Sequence, residues 1–411
     1  MTAIPPAGAP ETIRPELFRE LVDLRRALHR QPEIGLDLPR TQALVLAALD
    51  GLPLEVSTGR GLSSVTAVLR GARSGPVVLL RGDMDALPVT ELADVEYRSE
   101  IPGAMHACGH DLHTAGLVGA AHLLAERRAD LAGDVVFMFQ PGEEGYNGAG
   151  LMIEEGVLDA AGRPATAAYG LHVLATDFPR GVVAARPGPL MSASAGLFVR
   201  VIGAGGHGSA PHDAADPIPA ACEMVTALQT MVSRRYSPFE PVVVTVGAFH
   251  AGTLRNIIPD EAVFEATVRT FSAAAGERIA RESVRLCERI ADAHGLRAEV
   301  RFVPEYPVTV NDPREYDFVA ATASELFGAE RFTAMEHPDP GSEDFSRVLE
   351  RVPGAYCFLG AAVADDHRGL PNNHSPRARF DDSVLLDGAT LLAELAARRL
   401  SPAARPRPDR S

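Results

Sequence analysis

VVLLRGDMDA, residues 77–86, decides the fold. Its apolar start has no polar alternation and runs straight into Asp83 and Asp85. An unbroken apolar run closed by a polar loop is the pattern of a strand buried on both faces of a parallel sheet. In open α/β sheets the carboxyl ends of such strands are where ligands gather. The pattern recurs twice downstream. Residues 133–140 (GDVVFMFQ) end in PGEEG, and residues 167–173 (AAYGLHV) end on His172. Three successive strand ends thus bring Asp83 and Asp85, Glu143 and Glu144, and His172 to one edge of a sheet.

Between the first two of these strands lies MHACGHDLH, residues 105–113, with His106, Cys108, His110, Asp111 and His113 in one short, glycine-broken segment. On extended backbone Cys108 and His110 project to the same side and can converge on one ion. The competing reading is a cysteine buried as a small hydrophobe beside loop histidines.

Around this edge the chain reads as alternating strands and helices. Leu17, Leu21, Leu24 and Leu28 stand at helical spacing within residues 16–29, and residues 41–52 repeat that pattern. A strand is expected over 64–70, and helices over 114–127 and 148–155. From about residue 190 the character changes to a strand (195–204), a helix (217–235), two strands (241–249 and 261–271), a helix (275–293) and a strand (297–302). That βαββαβ order is the ferredoxin-like pattern. The earlier style resumes with 316–326, 355–359 and a last helix over 382–399. The expected fold is therefore α/β, a mixed and largely parallel sheet flanked by helices (residues 1–189 and 304–411), with an inserted ferredoxin-like α+β domain (residues 190–303).

The 411 residues are 46% hydrophobic and 23% charged, the profile of a soluble globular protein. A net charge of −15 argues against nucleic acid or an anionic membrane as partner. An anionic substrate would need local positive charge in its pocket. All 39 basic residues are arginine, which removes Schiff-base chemistry and the phosphate-loop lysine. Cys108, Cys222, Cys287 and Cys357 are scattered without a disulfide framework, which suits a reducing cytoplasm. The N-terminal segment has neither the basic start nor the apolar run of a secretory signal, and no stretch reaches the length of a membrane span. Residues 1–12 and 401–411 read as disordered Pro/Ala-rich tails.

Taken in order, GDMDALP (82–88), MHACGHDLH (105–113), QPGEEG (140–145), GLHV (170–173), GGHGSAP (205–211), GTLRNIIPD (252–260), GSEDF (341–345) and NNHSP (372–376) resemble the M20 metallopeptidase family. They are most similar to its amidohydrolase branch of hippurate hydrolases, N-acyl amino acid amidohydrolases and plant auxin-conjugate hydrolases. The resemblance implies a two-metal catalytic domain interrupted by a lid and dimerisation domain, hence a homodimer. It implies Cys108, His110, Glu144, His172 and His374 as ligands of two divalent ions (zinc, manganese, cobalt or nickel), with Cys108 between them. Glu143 would be general base and acid. On extended backbone it would point away from Glu144, toward the attacking water, whereas an ordinary Glu-Glu pair is a solvated surface.

Asp85 would orient the site from behind the ligands; Asp83 reads equally as a strand-end turn residue. His207 resembles the lid histidine that reaches across the dimer to polarise the oxyanion. Asn256 resembles the residue that holds the substrate carboxylate, and Arg269, with Arg255 behind it, would supply the local positive charge. His106 and His113 read as supporting donors, not ligands. Two positions depart from the family pattern. Leu38 replaces a glutamate in HRQPEIGLDLPRT (29–41), and Asn147 stands where histidine is common. The implied activity is hydrolysis of an N-acyl amino acid by metal-activated water. A carboxypeptidase or dipeptidase is the alternative within the family, and a non-catalytic binding protein the alternative outside it.

Overall fold

The computed structural model describes residues 15–401; the two tails read from the sequence lie outside the described residues, except for residue 401. The chain forms two compact units. One comprises the described residues up to Leu190, Val310–His337 and those from Arg347 on, and the other comprises Met191–Thr309 with Pro338–Ser346.

The first unit opens with helices α1 (Pro15–Arg30) and α2 (Pro39–Leu49), then strands β1 (Leu54–Thr58), β2 (Val65–Arg70) and β3 (Arg73–Asp83). Helix α3 (His110–Glu126), β4 (Ala132–Gln140), α4 (Gly148–Glu154), β5 (Ala167–Leu174), β6 (Val183–Ala185) and β7 (Gly188–Met191) follow. The second unit contains β8 (Ala193–Ile202), β9 (Gly206–His207), α5 (Pro217–Arg235), β10 (Val242–Ala251), β11 (Ile257–Ile258), β12 (Glu261–Thr270), α6 (Ala273–Ala293) and β13 (Arg297–Tyr306). After β14 (Thr309–Asn311), which pairs with β7, the chain continues with α7 (Pro313–Phe327), β15 (Phe332–Ala334), α8 (Ser346–Leu349), β16 (Gly354–Gly360) and α9 (Val384–Arg399).

The large sheet has eight strands in the order β1-β2-β4-β3-β5-β16-β6-β15. Its centre, β4-β3-β5-β16, is parallel throughout, so all four carboxyl ends meet one edge. Every residue of β4 and β16 is buried, as parallel strands covered on both faces require. The sheet's outer strands were not legible as strands. β1 is exposed over most of its length, and β6 and β15 are too short to display any period.

In the second unit, the order β10-β12-β8-β13 is antiparallel throughout and matches the ferredoxin-like expectation. Buried residues alternate along β10 and β12, and the same core takes Ala275, Ile279, Cys287 and Ile290 of α6. Helix α6 starts two residues earlier than its apolar period suggests because Ser272 caps it, its hydroxyl accepting from the Ala275 N–H. All four cysteines are free, and no described helix is long and apolar enough to cross a membrane.

Helix α3 is buried on every side over most of its length, packed against α1 and α9. Gly119 permits that approach, since a Cβ there would stand 2.7 Å from Leu21 Cδ1 and 2.8 Å from Ala389 Cβ. Gly119→Val should therefore destabilise the first unit by about 1–3 kcal/mol through overpacking. A denaturant midpoint equal to or above the parent's would show that α1 and α9 yield without cost.

Candidate metal centre

Gly109 is left-handed, with φ of +85°, and a Cβ on it would lie 2.4 Å from Val173 Cγ2. The chain turns sharply there and α3 begins at His110, four residues before the helix expected from periodicity. The extended backbone anticipated between Cys108 and His110 is therefore corrected to a glycine turn into a helix, and this turn brings the two side chains together. Cys108 Sγ lies 3.3 Å from His172 Nε2 and 3.3 Å from His374 Nε2. His374 Nε2 is in turn 3.3 Å from Glu144 Oε1. Two triads result, Cys108/His110/His172 and Cys108/Glu144/His374, each with its donor atoms within 4.8 Å of one another and both sharing the thiol.

The Glu143-Glu144 pair is also not extended: it occupies a turn after β4. The Asp85 carboxylate accepts the Glu143 N–H at 2.9 Å and the Glu144 N–H at 3.0 Å, one on each oxygen. An acceptor reaching in from β3's loop exposes both amides to one side, and that is why strand alternation fails here. His110, Glu143 and Glu144 form a further group of convergent donors, so both glutamates face the cluster.

The rings are oriented by their second nitrogens. His110 Nδ1 donates to Asp85 O at 2.8 Å, and its buried Nε2 makes no hydrogen bond. His172 Nδ1 donates to Val173 O at 2.7 Å, leaving Nε2 toward Cys108. Burial, helped by His113 and His110, holds His172 well below its ordinary pKa, so it is a neutral ligand-ready imidazole. His374, by contrast, is raised to about 10 by hydrogen bonds to Cys108 and Glu144. One thiol, three imidazoles and a carboxylate, with a buried ring nitrogen that makes no hydrogen bond among them, fit divalent metal ions, zinc included.

Around the cluster lie supporting residues, of which Arg25, His29, Arg81 and Glu91 had no role in the sequence reading. His113 uses both nitrogens, Nδ1 on Asp83 at 2.6 Å and Nε2 as acceptor from the Val173 N–H at 2.8 Å, so it supports and does not ligate. Burial would raise Asp83, but Arg81 at 2.7 Å, His110 and His113 hold its carboxyl well below the usual range. On the far side of α3, Asp111 pairs with Arg25 at 2.8 Å and His29 at 2.7 Å, and His29 reaches Glu91 at 3.2 Å. His29 opens the HRQPEIG segment, which was the signal for this network. His106 is pushed down to about 3 by burial and is neutral. Leu38 sits in the core at the start of α2, and Glu33 accepts the Arg40 and Thr41 N–H groups. Asn147 takes a left-handed φ of +58° before α4.

In the second unit, His207 pairs with Ile257 across the β9–β11 ribbon, and the Gly208 N–H donates to Asn256 O at 2.9 Å. His207 and Asn256 are thus neighbours, both exposed. The Ser209 N–H meets His207 Nδ1 at 3.2 Å, which leaves Nε2 as the protonated nitrogen. Arg255 is exposed beside them, whereas Arg269 is half-buried on β12 and donates to Ser342 Oγ at 3.2 Å.

A thiol-sharing cluster flanked by an additional glutamate is the chemistry of a metal-dependent hydrolase of amide or peptide bonds. The comparisons agree: residues 79–398 match peptidase family M20/M25/M40, and the chain belongs to that family. It is 38% identical to thermostable carboxypeptidase 2 of Saccharolobus solfataricus, over 92% of this chain and 94% of that one. It is 36% identical to IAA-amino acid hydrolase ILR1-like 4 of Arabidopsis thaliana, over 94% of this chain and 87% of that one. Among solved structures it resembles the Bacillus subtilis YXEP protein, a dinuclear metal binding peptidase from the M20 family. That likeness has a TM-score of 0.80 and 32% identity, covering 94% of this chain and 99% of that one.

The His374 shift fixes the sign of a pH effect. An imidazole holding its proton up to about 10 must release it to ligate, so metal binding expels protons and affinity rises with pH up to that value. Calorimetric titration with zinc at a pH between the ordinary histidine value and 10, in buffers of different ionisation enthalpy, should report proton release. A binding heat independent of buffer would count against it.

Proposed function

We propose that the chain is an amidohydrolase that cleaves N-acyl amino acids to a carboxylate and a free amino acid, working as a cytoplasmic homodimer. The observation that carries this reading is the pair of triads sharing Cys108 with Glu143 beside them. Cys108, His110, Glu144, His172 and His374 would hold two divalent ions. When bound, the ions would polarise the scissile carbonyl and ease deprotonation of water. Glu143 takes the proton from the attacking water and returns it to the leaving nitrogen. Asp85 keeps Glu143 in reach by holding its backbone N–H, a role that needs a fixed anion and not a mobile one. His207 donates from Nε2 to the oxygen that gains charge, and Asn256 with Arg269 receives the substrate carboxylate.

A carboxypeptidase or dipeptidase would use the same residues and differ in what fills the acyl side. Similarity to a relative named for carboxypeptidase activity favours that second reading. A non-catalytic protein would be expected to have lost a ligand or Glu143, and all six residues are present.

Benzoyl-, acetyl- and indoleacetyl-amino acids and dipeptides should be screened with and without chelator. Acylated amino acids should be hydrolysed best, chelation should abolish turnover, and Glu143→Ala should lower kcat by about 10²–10⁴-fold. Turnover that survives either treatment would remove the metal-water mechanism, and a preference for dipeptides would favour the peptidase. For the shared site, mixing inactive His207→Ala and Glu143→Ala proteins should restore activity, because some mixed dimers regain one intact set of residues. Mixtures as inactive as their components would place His207 within its own subunit's site, or outside the reaction.

A further inference from the structure

Asn373 stands one residue before His374 in the loop after β16, and no role described above uses it. Its side chain reaches two other ligand-bearing segments. Nδ2 donates to Val173 O at 3.0 Å and to Cys108 O at 3.3 Å, and lies 4.0 Å from Cys108 Sγ. Oδ1 accepts from the Ala175 N–H at 2.9 Å. Val173 O is also the acceptor for His172 Nδ1, so the carbonyl that sets the tautomer of His172 is itself held by Asn373. The His374 N–H donates to Ala107 O at 2.8 Å, tying the same loop to the residue before Cys108.

His374 has a φ of +67°, a left-handed conformation that a non-glycine residue keeps only where its surroundings over-determine it. His374 and Cys108 are 266 residues apart in sequence, and half of the His374 side chain is exposed, so burial alone does not place it. An asparagine supplies two donors and an acceptor on one short planar group, which is the set this junction uses.

We propose that Asn373 is the positioning residue of the cluster, clamping the His374 loop to the backbone beside Cys108 and His172 so that three ligands are set together. The inference rests on reading those residues as metal ligands.

The test uses full-length protein reconstituted with cobalt(II), comparing the parent with Asn373→Asp, Asn373→Ala and Asn372→Ala. Asn373→Asp keeps size and the acceptor but turns donors toward two carbonyls into an anion; Asn373→Ala deletes the contacts without repulsion and serves if the aspartate variant does not fold. Denaturant unfolding verifies each fold. Chelator competition should show a loss of cobalt affinity of about 10–100-fold in the Asn373 variants, with a weakened sulfur-to-cobalt absorption, and no such change in Asn372→Ala. Folded Asn373 variants with affinity within about twofold of the parent and an unchanged sulfur band would overturn the positioning role while leaving the ligands in place. A parent protein without any sulfur-to-cobalt band would overturn the ligand reading and this inference with it.

Discussion

The Asp85 carboxylate is the constraint on which the site depends. It is buried, and its two oxygens receive the backbone N–H groups of Glu143 and Glu144 while its own carbonyl receives His110 Nδ1. One residue therefore couples the end of β3, the turn after β4 and the first turn of α3. A buried carboxylate is costly unless its lone pairs are satisfied, and two amides in fixed positions satisfy them better than mobile side chains could. The same bonds remove the freedom of the Glu143-Glu144 turn. Positions that a strand would send to opposite faces instead meet on one.

Behind that turn lie two buried arginines, each holding an acid on a different side of the cluster. Arg81 pairs with Asp83 and Arg25 with Asp111, all essentially excluded from water. Ion pairs this deep contribute little net stability, because desolvation consumes most of the Coulomb gain. Their value lies in geometry: Asp83 aligns His113 and Asp111 aligns His29, and both acids flank the histidine-bearing end of α3. In a chain without lysine, arginine's planar fork serves both tasks, and Arg81 also reaches Gln140 and Tyr356.

The architecture was readable because its strands are buried on both faces and announce themselves as apolar runs. The edge they deliver residues to follows from parallel order. What escaped the sequence is set by turns and by single side chains. Period-two alternation predicted the right neighbours at Cys108/His110 for the wrong reason, since Gly109 turns the chain. It gave opposite faces for Glu143 and Glu144, because nothing local says that Asp85 will bind both amides. Leu38 shows the same limit from another side. Its departure from the family glutamate is a core position, and Glu33 accepts the amides at the start of α2. Asn373 carries no periodic signal whatever, and its meaning depends on partners nearly 200 residues away or more.

His374 differs from the other proposed ligands in exposure. His110, Cys108 and His172 are buried; His172 is held neutral, whereas at His110 burial pulls the ring down but Asp83 and Cys108 raise it well above its ordinary value. His374 is 56% exposed at its side chain, and its proton is stabilised by Cys108 and Glu144. Protonated, it is their counter-charge; deprotonated, it is a ligand. The two roles exclude each other, so proton and metal compete for the same nitrogen. A ligand that must lose a proton and hold a left-handed backbone needs its position secured by neighbours that do not titrate. A neutral amide beside it, bonded to backbone groups on the neighbouring ligand segments, meets that requirement at any pH the fold survives.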